Sequence, residues 1–309
     1  MRNLVTGGAG FIGSHLIKSL ITAGEEVLCV DNLSTGDEKN VLKWETSNQF
    51  NFLFHDVIDP IKTEVDRIWH LACPASTFNY QNDPIKTSLT NFEGTLNMLE
   101  LAKTLNVEIF FSSTSEIYGN TPLKQQSESD FGSINPIGVR SCYGEGKRMA
   151  ESLCLDYLRC FNTKIRIARI FNVYGPGMRK DDKRLINNLI NKALNNEPLT
   201  IFGDGDHSRS FCYIDDLIIG IKKLMDSNYE YPVNLGNPNE EYTILEMANL
   251  IKSKTESSSE LLKLPLPSDD PIRRKPSINL AKKLLNWHPK IDINEGLHKT
   301  IKHIRGQIK

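Results

Sequence analysis

No stretch of this sequence has the apolar length of a transmembrane helix, which argues against a membrane-spanning protein. Charge of one sign is missing too: 37 Lys and Arg meet 38 Asp and Glu, for a formal net charge of -1. So balanced a chain has no basic footprint for nucleic acid or an anionic membrane surface. The six cysteines, Cys29, Cys73, Cys142, Cys154, Cys160 and Cys212, contain no Cys-x-x-Cys pair. They are scattered, mostly in apolar runs, so reduced thiols in a cytoplasmic protein are expected rather than a disulfide framework. The seven His show no metal-ligand spacing, and no metal is expected. Met1-Arg2 runs straight into Leu4-Val5, leaving no room for a signal peptide. Repeats and low-complexity tracts are absent, and Ser257-Ser258-Ser259 is only a short polar loop. What remains is an ordinary globular composition, 39% hydrophobic and 24% charged over 309 residues. That length suits one large domain or two smaller ones.

The first thing present is a strand, Asn3 to Thr6, followed by Gly7-Gly8-Ala9-Gly10-Phe11-Ile12-Gly13. A helical pattern then carries Leu16, Leu20 and Ile21 to Gly24, and Val27 to Val30 reads as a second buried strand ending at Asp31. This is a βαβ unit. Its glycines fit both Gly-x-Gly-x-x-Gly from Gly8 and Gly-x-x-Gly-x-x-Gly from Gly7. Such glycines let the backbone approach a pyrophosphate at a helix N-terminus. The acid after the second strand is placed to accept both ribose hydroxyls of NAD and to repel the extra phosphate of NADP. The strand, helix and acid that the motif demands are all in place.

Strand and helix patterns keep alternating. Residues 51–55 and 68–72 read as strands, with Asp56-Val57 after the first. Asp83-Pro84 opens a long helical pattern through Leu96, Leu99 and Ala102. Residues 108–113 form a continuous apolar run, as in a parallel sheet buried on both faces. The loop 120–140 is long and rich in Ser, Pro and Gly, as functional or mobile loops are. A helix to about Phe161 and a strand over 164–170 follow. The pattern predicts a doubly wound α/β sheet. After Gly175-Pro176-Gly177 the pieces shorten: a helix over 185–194, an extended 199–202, the turn Gly203-Asp204-Gly205, an extended 211–214, and helices over 244–251 and 278–285. These predict a smaller mixed region over the mouth of the sheet.

The chemistry concentrates between Ser112 and Lys147. Tyr143 and Lys147 stand four apart, on one face of a helix. A Lys cation beside a Tyr hydroxyl is expected to lower its pKa from about 10, giving a proton acceptor near neutral pH. Thr114 offers a hydroxyl for a substrate oxygen. Glu116 follows an apolar run, at a strand end, where open α/β sheets place ligands.

These motifs together resemble the extended short-chain dehydrogenase/reductase superfamily, over essentially the whole chain. Within it the chain is similar to the UDP-glucuronate decarboxylase, or UDP-xylose synthase, group. The matching stretches are Pro74-Ala75-Ser76, Asn82 to Thr87, Ser113 to Gly119, Asn135 to Gly138 and Glu145 to Arg148. Ala168 to Asn172, Asn234 to Pro238 and Asp270 to Pro276 continue the likeness. Sugar-nucleotide dehydratases of the superfamily usually carry Asp-Glu after the Thr, and its 4-epimerases usually lack the acid; this chain reads Ser115-Glu116. It departs from the decarboxylase pattern Tyr-Asp-Glu-Gly-Lys in having Gly144 after Tyr143.

The resemblance implies a Rossmann sheet as an NAD domain over 1–170, with returning segments near 210–240, and a mainly substrate-binding region over 171–309. It implies NAD contacts from Gly7, Gly10, Phe11, Ile12, Gly13, Asp31, Asn32, Asp56, Val57, Leu71, Tyr143 and Lys147. It gives Tyr143 the proton transfer at C4, Thr114 the C4 oxygen, and Glu116, Ser115 and Arg209 the decarboxylation. Asn172, Arg184, Arg209 and Arg274 would bind the UDP-sugar. A UDP-sugar 4-epimerase, a nucleotide-sugar 4,6-dehydratase and a non-catalytic NAD-sensing protein are the rival readings. A homodimer is also expected, because Leu89, Leu96 and Met98 on one helix and Met149, Leu153 and Leu155 on another exceed what one sheet face needs. The superfamily pairs these helices across a two-fold axis.

Overall fold

The computed structural model describes residues 1–307. Six strands come from the first 170 residues: β1 (Arg2–Thr6), β2 (Glu26–Asp31), β3 (Phe50–Phe54), β4 (Arg67–His70), β5 (Glu108–Thr114) and β6 (Ile165–Ile170). With Pro232–Leu235 they form one seven-stranded sheet in the order Pro232–Leu235, β6, β5, β4, β1, β2, β3. Every pairing in it is parallel. The order reverses beside β1, between β1 and β4, and there the strand ends open a crevice for ligands.

Helices cover both faces, because alternate strand residues point to opposite sides. Val5 and Phe110 join Leu16, Ile17 and Leu20 of helix Phe11–Thr22 and Leu217, Ile221 and Leu224 of helix Ile214–Met225. Leu4, Ile109 and Phe111 join Leu99 and Ala102 of helix Thr95–Leu105 and Ala150 and Cys154 of helix Ser141–Phe161. Phe110 and Phe111 are both fully buried, one on each side. Each stabilises the fold by about 1.5–3 kcal/mol through the area removed from water.

The long helical pattern after Asp83 is real but not uniform. Asp83 caps it, accepting from Lys86 N at 3.0 Å, and Pro84 takes the first turn, where a missing N–H costs nothing. A wider π-type turn over Thr90–Gly94 then interrupts it before helix Thr95–Leu105. Asn106 ends helix Thr95–Leu105, and Asn162 ends helix Ser141–Phe161, both in left-handed conformations, as Asn tolerates. Among the described residues four helices carry no forecast from the sequence: Thr77–Asn82, Ile214–Met225, Ile293–Gln307 and the four-residue Lys39–Leu42. The first is too short for a period to show. The second follows directly on strand Cys212–Tyr213, so its start reads as a continuing extended run.

The apolar residues expected at a dimer face divide differently. Met98 is 1% exposed and belongs to the protein's own core, and Leu96, Leu153 and Leu155 pack against the same cluster. Of the expected residues only Leu89 and Met149 are exposed, and Ile85 and Phe92, which were not expected there, are exposed beside Leu89. No helix among the described residues is long and apolar enough to cross a membrane. All six thiols are free.

Beyond β6 the chain builds small sheets. Ser208–Ser210 lies between Glu241–Thr243 and Arg273–Arg274. Its register sets Arg209 directly beside Arg274. Helix Ile244–Thr255 starts from a capping box between Thr243 and Glu246.

Candidate active site

The carboxyl ends of β1, β2, β4, β5 and β6 open into a cleft of about 620 Å³, roofed by the small sheets. Its lining includes every residue expected to touch the cofactor or the UDP-sugar, from Gly7 to Arg274.

At one end the glycine turn closes on itself. A Cβ on Gly13 would lie 2.2 Å from the Gly7 carbonyl oxygen, so only glycine permits this approach. Asp31 is held beside it: one carboxylate oxygen accepts from Ala9 N at 2.9 Å, the other from Leu33 N at 2.8 Å. Burial pushes its carboxyl up, and the two backbone donors pull the other way. Each oxygen keeps acceptor capacity toward the cleft. Asp56 accepts from Asn32 at 2.8 Å and pairs with Lys86 at 2.7 Å. The turn, the acid and the apolar Phe11, Ile12, Val57 and Leu71 make a shape and chemistry that fit a dinucleotide.

Tyr143 and Lys147 occupy one face of helix Ser141–Phe161, 6% and 3% exposed. The expected depression of the Tyr143 pKa does not occur in the protein alone. Burial pushes its phenol up, the potentials of Cys73 and Glu116 add to this, and only the Thr114 hydroxyl opposes them. Lys147 does not offset it, because its Nζ donates to the Ser112 carbonyl at 2.8 Å and sits 4.7 Å from the Phe111 ring. Burial also lowers the Lys147 pKa. The Tyr143 ring lies flat against Tyr80, 5.0 Å between centroids and 2° between planes.

Glu116 anchors the other end. It pairs with Arg140 at 3.1 Å and Arg274 at 3.2 Å, and it accepts from the Tyr80 hydroxyl at 3.3 Å. Burial alone would raise its pKa, but Arg274 and Arg140 outweigh burial and leave it lowered, so Glu116 is a carboxylate. Arg209 instead pairs with Asp270 at 3.0 Å, and Asp270 reaches Arg140 at 2.8 Å. Burial, with Arg274 beside it, brings the Arg209 pKa down to about 10. Three guanidiniums against two carboxylates leave one positive charge in a buried cluster. Such a cluster suits an anionic group on a ligand. Asn172 lines the same space with a buried amide nitrogen that has no partner among the described residues. Arg184 is braced by Asp182 at 2.6 Å.

Arg140, Asp270 and Tyr80 escaped the sequence reading. Arg140 lies three residues before Tyr143, a spacing that brings side chains together in the first helical turn. Asp270 opens the run Asp270 to Pro276 that carried the resemblance. Tyr80 gave no signal, since its helix has only six residues.

The two glycines in this helix differ. A Cβ on Gly146 would meet Asn91 Nδ2 at 2.8 Å, whereas the one close approach of a Cβ on Gly144 would be to the flexible Cδ1 of Ile134, at 3.1 Å, its other neighbours lying at ordinary contact distance. Gly144→Ala is therefore expected to stabilise the fold by about 0.5–1 kcal/mol through helix propensity. Urea unfolding measures it, and a loss of stability would show that Ile134 cannot yield.

A family model described as "NAD dependent epimerase/dehydratase family" matches residues 3–236. The chain is 49% identical to UDP-glucuronic acid decarboxylase 1 of Danio rerio over 308 residues, covering 100% of this chain and 73% of that protein. It is 47% identical to UDP-glucuronic acid decarboxylase 2 of Arabidopsis thaliana, covering 100% and 69%. Among solved structures, the UDP-glucuronic acid 4-epimerase of Bacillus cereus in complex with UDP-glucuronic acid and NAD superposes with a TM-score of 0.88 at 30% identity, covering 99% of this chain and 100% of that one. The chain belongs to the NAD dependent epimerase/dehydratase family, and within it to the UDP-glucuronic acid decarboxylases.

Proposed function

We propose that this protein decarboxylates UDP-glucuronate to UDP-xylose. The observation that carries the reading is the ionised Glu116 between Arg140 and Arg274, one Tyr80 ring away from Tyr143. It sets an anion-binding cluster beside a proton-transfer group, and a hexuronic acid needs both. Gly7, Gly10, Gly13, Asp31, Asn32 and Asp56 would hold NAD. When bound, NAD accepts two electrons from C4, returns them at the end of the turnover, and adds a positively charged ring to the cleft.

Tyr143 takes the C4 hydroxyl proton, and Thr114 holds the C4 oxygen. Lys147, fixed to Ser112, supports the cofactor ribose. With C4 oxidised, the C6 carboxylate is β to a ketone. The C5–C6 bond then breaks, its electron pair moves into the carbonyl, and carbon dioxide leaves. Arg140, Arg274 and Arg209 draw the carboxylate in. Glu116 and the Ser115 hydroxyl stand beside it, and the Glu116 charge disfavours a second carboxylate there until carbon dioxide departs. A proton from water is added at C5, and as C4 is reduced Tyr143 gives its proton back to the C4 oxygen, which completes UDP-xylose. Asn172 and Arg184 bind the nucleotide end. In this division of labour, residues 1–170 and returning segments near 210–240 hold NAD, while the rest of 171–309 closes over the sugar nucleotide. The free thiols accord with a cytoplasmic setting.

Incubation with UDP-glucuronate should yield carbon dioxide and UDP-xylose in equal amounts. A 4-epimer of UDP-glucuronate with no carbon dioxide would favour the epimerase reading.

A homodimer forms part of the same proposal. Ile85 at 74% and Met149 at 52% exposure lie on two helices that pack side by side, with Leu89 and Phe92 on the first. Light scattering at micromolar concentration should give twice the chain mass, and Met149→Glu should halve it. A monomeric parent would overturn the dimer.

A further inference from the structure

One contact spans the rim of the cleft and has no part in the chemistry above. The Lys183 Nζ sits 3.6 Å from the centroid of the Phe78 ring. Phe78 belongs to helix Thr77–Asn82 on one wall, and Lys183 to the segment before helix Leu185–Leu194 on the other. Both line the cleft. Phe78 is 50% exposed, so its ring face is open to the cation across the cleft.

The placement is held from both sides. The flanking acids are already engaged, Asp181 by Arg179 at 2.7 Å and Asp182 by Arg184 at 2.6 Å. Asn187 donates to the carbonyls of Arg179 and Asp182 at 3.0 and 2.9 Å, which pins the segment under Lys183. A lysine so flanked takes the negative face of an aromatic ring instead. Across the rim, Tyr80 lies two residues beyond Phe78 and points inward. It stacks on Tyr143 and donates to Glu116. The rim contact is thus tied through one short helix to the reacting centre.

We propose that Phe78 and Lys183 form a cation–π latch that holds the sugar nucleotide, and the keto intermediate derived from it, inside the cleft until the turnover is complete. Resting on the decarboxylase reading, it makes the pair determinants of which product leaves. Returning the electrons requires the keto sugar to stay through carbon dioxide loss and C5 protonation. A rim contact worth little in the ground state still competes with escape at that stage. Entry and exit of the sugar nucleotide require the two walls to part.

The test compares Phe78→Ala, Phe78→Leu, Phe78→Tyr and Lys183→Met with the parent, all loaded with NAD. Two quantities are read: the dissociation rate of UDP, and the NADH released per carbon dioxide formed. Phe78→Ala, Phe78→Leu and Lys183→Met should each speed UDP dissociation and raise NADH release by about three- to tenfold. Phe78→Tyr keeps the ring face and should match the parent, whereas a purely packing role would let Phe78→Leu match it instead. The Phe78→Leu, Lys183→Met double variant should be no worse than either single one. Unchanged UDP dissociation in all variants, or additive effects in the double, would overturn the latch. A parent that releases NADH with every carbon dioxide would contradict the return of electrons, and UDP dissociation would still judge the latch.

Discussion

Replacing Tyr143 with Phe should lower turnover by about a thousandfold or more while NAD and UDP still bind. The ring stays, and with it the 5.0 Å stack on Tyr80. What goes is the hydroxyl that exchanges the C4 proton. Burial already holds this phenol in its neutral form, with Cys73 and Glu116 adding to the effect. Without a cofactor Tyr143 is held protonated, and the positively charged ring that NAD would add to the cleft would favour its phenolate. In the parent the Tyr143 phenol should titrate at lower pH with NAD bound than without it. Turnover should rise with pH through the lower value, because the deprotonated form is the active one. Tyr143→Phe should remove that limb. Unchanged turnover in Tyr143→Phe would remove Tyr143 from the chemistry.

Glu116→Gln carries the second large effect. The amide keeps the shape and one acceptor but discards the charge, so the cluster of Arg140, Arg209, Arg274 and Asp270 goes from one net positive charge to two. Carbon dioxide formation should fall by about a hundredfold or more, while the first oxidation at C4, read as NADH in a single turnover, falls far less. Equal loss of NAD affinity would make Glu116 a structural residue instead. Stability should drop by about 1–3 kcal/mol, because buried guanidiniums lose a partner. The sign with pH follows from the lowered Glu116 pKa. A depressed carboxyl stabilises the fold fully above its unfolded value of about 4.3 and loses this as pH falls through the folded value. The gap between variant and parent should be widest above about pH 4.3 and close in acid.

The first half of the fold was readable because its signals are local. Continuous apolar strands, a glycine turn between β1 and its helix, and Asp31 at the end of β2 each announce a parallel sheet in a few residues. Strand Pro232–Leu235 is different. Nothing in its four residues says that it returns to pair with β6 from more than sixty positions away. Spacing paired Tyr143 with Lys147 on one helix face, and the likeness to a known family joined them to Thr114 and Glu116 at the end of β5. The expectation for the Tyr143 pKa failed for a similar reason. Spacing placed Lys147 on the right face but could not show that its ammonium turns to the Ser112 carbonyl. Arg209 and Arg274 meet only through strand register across distant segments. Arg140 and Asp270 complete the cluster from a loop and from the far C-terminal region, and their pairing is a tertiary fact.

The return of electrons within each turnover is the central claim, and one measurement reaches it. Enzyme carrying only its bound NAD is given a large excess of UDP-glucuronate, and UDP-xylose, carbon dioxide and NADH absorbance are followed together. Many equivalents of UDP-xylose, matched by carbon dioxide and with no net growth of NADH, are the predicted result. A single equivalent of NADH per enzyme, with a 4-keto pentose nucleotide released and turnover halted until NAD is added, would contradict it.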